Sequence, residues 1–198
     1  MPDWEKNRLP EIGGRVPRRN YGPLESVGRI VLRKMGWRIE GELPDSPRVV
    51  AALAPHSSNW DFVIGASVVF ALRLHVSFIG KHTLFKGPMG YFMRWLGGIP
   101  VDRARPDGFV DAMIEESGKR GRLWLAIAPE GTRTGGAQFK SGFYRIAQAT
   151  GMPILPVYFN YPRKVIGFLP LVQPEPDTAQ GVAKIRELLE HRGGRKPG

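Results

Sequence analysis

Six short apolar runs recur along the chain with helix-patterned stretches between them, and this alternation limits the fold more than any other feature of the sequence. The runs fall at residues 49–54, 76–80, 99–101, 123–128, 154–160 and 165–172. Helical spacing of apolar residues marks 61–72, 89–96, 109–119, 142–149 and 178–191. Several runs are apolar at consecutive positions, so both faces of those strands must be covered, as in a sheet held between helix layers. The expected class is α/β: a single-domain sandwich with a central mixed, largely parallel sheet flanked by helices.

A chain of 198 residues suits one domain of ordinary size, with a core large enough to need no covalent staples. Residues 1–23 hold four prolines, three glycines and the cluster Arg15, Arg18 and Arg19, and predict an irregular basic lead-in that adds little core. The single domain is expected over 24–198. It opens with an amphipathic basic helix over 24–37, where Leu24, Val27, Ile30, Val31 and Met35 recur at helical spacing beside Arg29, Arg33 and Lys34. Such a helix docks on its own domain or on lipid.

With 29 Lys and Arg against 18 Asp and Glu, the net charge is +11. Nucleic acid, anionic bilayers and phosphate-bearing substrates all attract such a surface, so charge alone does not choose among them. The absence of cysteine excludes disulfides, thiolate metal ligands and a Cys nucleophile. The first residues lack a signal-like apolar run, and no stretch reaches the roughly 18 to 20 apolar residues that span a bilayer. Any membrane contact is expected to be at the surface.

The run at 49–54 leads into Pro55-His56-Ser57-Ser58-Asn59-Trp60-Asp61, after which an apolar helix begins. Five helical steps of about 100° would leave His56 and Asp61 on different faces, so the two meet only across a turn. Ser57, Ser58 and Asn59 suit that turn and the cap of the next helix, with Asp61 in its first turn. A His beside a carboxylate supports general-base chemistry: the imidazole accepts a proton, and the carboxylate holds its tautomer and stabilises the imidazolium. The same residues also read as nothing more than a capped helix start.

Three further blocks add to this one. Gly98-Ile99-Pro100-Val101-Asp102-Arg103 closes one apolar run, Ala128-Pro129-Glu130-Gly131-Thr132-Arg133-Thr134 closes another, and Ile154-Leu155-Pro156-Val157 opens a third after Phe139-Lys140-Ser141-Gly142. In this order and spacing the four blocks, over residues 48–160, resemble the glycerolipid acyltransferase family, whose bacterial members include 1-acylglycerol-3-phosphate acyltransferases. The resemblance implies that His56 and Asp61 are the catalytic pair of an HxxxxD motif. It implies that Arg103 binds the acceptor phosphate and that Glu130 and Gly131 help bind the acceptor.

Physical chemistry is compatible with those roles. A guanidinium at Arg103 clamps phosphate in fork geometry, although an Arg in so basic a chain also reads as a solvated surface residue. Gly131 admits backbone N–H groups to an anion, and Thr132 and Arg133 are donors; a plain turn with an ion pair at Glu130 is the alternative. Lys140 is expected to add positive charge for phosphate or for the carrier. Pro55 departs from the Asn that often precedes the family's His.

The implied reaction is O-acyl transfer from acyl-CoA or acyl-acyl carrier protein to a lysophosphatidate-like lipid in phospholipid biosynthesis, with no metal or further cofactor. The expected location is the cytoplasmic, inner face of the cell membrane, on an anionic surface, with no nucleic acid partner. A hydrolase or thioesterase is weakened by the lack of a Gly-x-Ser-x-Gly elbow. A non-catalytic basic module binding membrane or nucleic acid is weakened by the scatter of the cations along the chain.

Overall fold

The computed structural model describes residues 9–55, 59–101, 106–130 and 139–194. In chain order the elements are α1 (Pro23–Met35), β1 (Arg38–Glu40), β2 (Arg48–Ala54), α2 (Asn59–Ala71), β3 (Val76–Lys81), a 3-10 turn (His82–Phe85), α3 (Gly87–Trp95) and β4 (Gly98–Val101). There follow α4 (Pro106–Gly118), β5 (Leu123–Ile127), α5 (Gly142–Thr150), β6 (Ile154–Asn160), β7 (Val165–Phe168) and α6 (Thr178–Arg192). Among the described residues the strands form one seven-stranded sheet in the order β1-β7-β6-β2-β5-β3-β4. Every pairing is parallel except β6 with β7. The expected mixed, largely parallel sheet between helices is what forms.

The alternation of side chains along each central strand splits the core in two. Val50, Ala52 and Ala54 of β2, with Leu123 and Leu125 of β5 and Ile154 and Tyr158 of β6, face α4, α5 and α6. Val49 and Ala51, with Trp124, Leu155, Val157 and Phe159, face α1 and α2. Both faces of β2 are thus sealed, which accounts for its unbroken apolar sequence. Each fully buried Ile, Leu or Phe adds about 1.5–3 kcal/mol.

Helices start ahead of their apolar patterns. The spacing predicts starts at 24, 89 and 109, whereas α1, α3 and α4 begin at Pro23, Gly87 and Pro106. Proline in the first turn, at Pro23, Pro88 and Pro106, supplies the helical φ and lacks an N–H that would have no partner there. At its other end α1 stops two residues short of the expected 37. Gly36 takes φ +73°, its N–H donating to Arg33 O at 3.1 Å while Trp37 N–H donates to Leu32 O at 2.9 Å.

Two other expectations are revised, and one strand is new. The lead-in adds core after all: Val16 is fully buried, and the Tyr21 hydroxyl donates to Leu74 O at 2.9 Å. Backbone bonds hold this proline-rich stretch in place, from Arg19 N–H to Arg73 O (2.9 Å) and from His75 N–H to Pro17 O (2.8 Å). The strand expected over 165–172 ends at Phe168, because Pro170 offers no ladder donor, and Val172 returns to pair with Ile154. Strand β1, with one apolar residue in three, had no pattern to announce it.

The same gap accommodates Pro156 in the middle of buried β6. Ile154 exchanges both bonds with Val172 at 2.8 Å, and Pro156 O accepts from Leu169 N–H at 3.0 Å. Pro156 therefore turns its nitrogen toward the break between Phe168 and Val172, where a missing donor interrupts no ladder.

α1 crosses α2 at Gly28, where a Cβ would stand 2.6 Å from Ser67 O and 3.0 Å from Ala71 N. Gly28→Val should lower stability by about 2–3 kcal/mol through forced separation of the two helices; a urea midpoint equal to that of the unmodified protein would refute this close contact.

Candidate active site

Strands β2, β3, β4, β5 and β6 run in one direction, so their carboxyl ends share one edge of the sheet. In open α/β sheets such an edge is where ligands bind. The site is assembled there from the segments that leave β2, β5 and β6.

β2 leaves the sheet at Ala54 and Pro55, and α2 starts at Asn59, which puts Asp61 in the first helical turn. A carboxylate there is favoured by the positive end of the helix dipole. Asp61 is only 3 % exposed. Its Oδ1 accepts a hydrogen bond from the Tyr161 hydroxyl. Tyr161 follows the last residue of β6, the strand next to β2, and so reaches Asp61 across one strand spacing. The Tyr161 ring meets Trp37 edge-on at 5.0 Å and 89°, and its N–H donates to Gly194 O at 2.9 Å. Ring, backbone and hydroxyl are each held, so the carboxylate receives its donor from a fixed direction.

Glu130 lies three residues past the end of β5 and is 9 % exposed. It lines a small open cavity of about 150 Å³ with Ala54, Pro55, Phe139, Leu189, Gly193 and Gly194. Two of those residues, Ala54 and Pro55, directly precede His56. The far wall comes from the end of α6. Asn160 Nδ2 donates to Arg192 O and Gly194 N–H to Phe159 O, both at 2.9 Å, and these bonds clamp the helix end onto the end of β6. Lys140 is exposed, and its N–H donates to Pro129 O at 2.8 Å, which joins the two described ends of the 131–138 segment.

The structure thus brings Asp61 and Glu130 to opposite flanks of the β2 end, Asp61 on the α1–α2 side and Glu130 beside the α6 wall. Lys140 borders the same region without entering the cavity lining. His56, Arg103, Gly131, Thr132 and Arg133 lie outside the described residues. Val101, the last described residue before Arg103, ends β4, three strands from β2, or about 14 Å at the usual strand spacing. Tyr161 escaped the sequence reading, because a Tyr after an apolar strand carries no local mark of a partner 100 residues away.

A family model described as Acyltransferase matches residues 37–160, more than half of the chain. The chain belongs to the acyltransferase family. The match contains β1 through β6 and every sequence-predicted site residue, and it ends one residue before Tyr161.

Named relatives agree with the family. The chain is 30% identical over 155 residues to the 1-acyl-sn-glycerol-3-phosphate acyltransferases of Salmonella typhimurium and Escherichia coli, covering 70% of this chain and 62% of theirs. It is 31% identical over 121 residues to a chloroplastic 1-acyl-sn-glycerol-3-phosphate acyltransferase of Brassica napus, over 58% of this chain and 34% of that protein. The chain therefore spans about three fifths of the length of the bacterial relatives. Among solved structures, the 1-acyl-sn-glycerophosphate acyltransferase of Thermotoga maritima superimposes with a TM-score of 0.63 at 20% identity, over 85% of this chain and 76% of that one. At that identity the likeness is one of acyltransferase fold.

Tyr161→Phe removes only the hydroxyl that serves the buried Asp61 carboxylate. The substitution should cost about 1.5–3 kcal/mol in urea unfolding, the range for a hydrogen bond to a charged group. An undiminished unfolding free energy would show that the bond contributes nothing.

Proposed function

We propose that this chain is an O-acyltransferase that moves a fatty acyl group from acyl-CoA or acyl-acyl carrier protein to the free hydroxyl of a lysophosphatidate-like lipid. The observation that carries the reading is the buried Asp61 carboxylate, held by Tyr161 at the carboxyl end of the central strand and five positions after His56. Family membership and the names of the bacterial relatives support it.

In this mechanism His56 accepts the proton of the acceptor hydroxyl as its oxygen attacks the thioester carbonyl carbon. Asp61 fixes the imidazole tautomer and stabilises the imidazolium. The tetrahedral species collapses, the carbon–sulfur bond breaks, and the departing thiolate takes the proton back from His56. The protein forms no covalent intermediate. Tyr161 acts through Asp61 as a positioning residue.

Binding of the acceptor is assigned to the cations and polar groups around the β4 and β5 ends. Arg103 and Arg133 anchor the phosphate in fork geometry, and Gly131 and Thr132 bring backbone and hydroxyl donors to the same anion. Glu130 accepts from a glycerol hydroxyl, and Lys140 adds positive charge for phosphate or carrier. The net charge of +11 suits a phosphate-bearing acceptor and an anionic membrane surface. Among the described residues no helix is long and apolar enough to cross a membrane, which is compatible with a peripheral enzyme on the cytoplasmic face.

The deciding experiment supplies each donor with and without lysophosphatidate, and follows thiol release together with the mass of the lipid product. Acceptor-dependent release and a phosphatidate mass are expected; release that ignores the acceptor would make the protein a thioesterase instead. His56→Ala and Asp61→Asn should each lower kcat by about a thousandfold or more. Arg103→Ala should act mainly on the acceptor KM, by about tenfold to a hundredfold, as expected for a lost charge-assisted bond.

A further inference from the structure

Large apolar side chains stand exposed on α3 and on the start of α2. Met89, Tyr91 and Phe92 are 57, 80 and 49 % exposed, and Trp60, Phe62 and Val63 are 47, 38 and 39 % exposed. The two groups belong to one surface. Phe62 meets Phe78 of β3 edge-on with ring centroids 5.7 Å apart, and Phe78 packs against the Phe85, Met93 and Leu96 cluster beneath α3. Exposed apolar patches of this extent mark interaction sites, and aromatic side chains suit a boundary that is apolar on one side and wet on the other.

We infer that this α2–α3 face is the surface by which the protein docks on an anionic lipid bilayer. Charge selects the partner. The 40 residues from 62 to 101 contain no Asp or Glu and four Lys or Arg, namely Arg73, Lys81, Lys86 and Arg94. Arg73 is paired with Glu25 at 3.1 Å, while Lys86 and Arg94 are exposed beside the aromatics. Arg19 adds a cation at the rim, its guanidinium carbon 4.8 Å from the Trp95 ring centroid and its Nη1 donating to Trp95 O at 2.6 Å. A second copy placed on this face by a two-fold axis would bring these cations against their own equivalents, which costs energy. Anionic headgroups meet them with opposite charge, and the aromatic side chains enter the boundary below.

Orientation is consistent with lipid as the partner. Trp60 and Phe62 flank Asp61 in the first turn of α2, so the turn that carries the carboxylate into the protein carries aromatic side chains outward. A bilayer on this face lies beside the carboxyl edge of the sheet, where a lipid acceptor is needed. This use of the surface rests on the acyltransferase reading, whereas the docking itself does not.

Co-sedimentation of the full chain with phosphatidylcholine vesicles, with and without phosphatidylglycerol, tests the inference in the absence of any acyl donor. The unmodified protein should bind the mixed vesicles, with a blue shift of tryptophan emission. The double variant Tyr91→Ser/Phe92→Ser should bind about tenfold or more weakly. Lys86→Gln should bind mixed vesicles about fivefold more weakly and neutral vesicles as before, since each cation near an anionic surface contributes about fivefold. Leu188→Ser, a control on the exposed side of α6, should bind normally. Circular dichroism and melting establish that each variant folds, and turnover of a short-chain monomeric acceptor should survive in all of them. Unchanged vesicle binding by both test variants would overturn the inference. So would a substitution that converts a dimer to a monomer, which would assign the face to a second copy. Loss of turnover by the unmodified protein with binding intact would remove the proposed reaction and leave this surface standing.

Discussion

Burial of β2 between β5 and β6, with a helix layer over each face, is the constraint on which the remaining geometry rests. Parallel pairing with both neighbours fixes where Ala54 and Pro55 leave the sheet, and the same register brings the ends of β5 and β6 alongside. Since both faces of β2 are closed to water, a one-residue slip would move Val49, Ala51 and their partners into the opposite core, and the whole strand would misfit. A register this well determined lets a segment leaving one strand be met by side chains leaving the next.

The Tyr161–Asp61 bond illustrates what that register provides. Asp61 belongs to the first turn of a helix packed on one face of the sheet, and Tyr161 to the residue just past β6. Neither residue is ordered by the other's neighbourhood in sequence. Tyr161 is held instead by Trp37 and by Gly194, two residues that enter from opposite ends of the chain. Burying a carboxylate is costly unless donors are already in place, and this convergence supplies one of them to the acid at position 61.

The end of α6 has a comparable part on the other flank. Gly193 and Gly194 approach Pro55 and Asn160 so closely that a Cβ on either would stand about 3 Å from them. The helix end thereby becomes a wall of the cavity that Glu130 lines. This wall lies outside the region matched by the family model, as does Tyr161, so part of the candidate site is built from segments that a local motif does not include.

By itself the sequence determined the alternation of strands and helices, the burial of the central strands on both faces, and the four blocks that carry the acyltransferase resemblance. It did so because side-chain periodicity and short motifs are local properties. Strand β1, with its single apolar residue, left no such trace, and the core contribution of Val16 and Tyr21 was hidden in a proline-rich lead-in. The order of strands in the sheet, the donor to Asp61 and the wall beside Glu130 were decided only in the tertiary structure. Each joins residues tens to a hundred positions apart, and contacts of that span arise from packing whole elements against one another, which no window of sequence records.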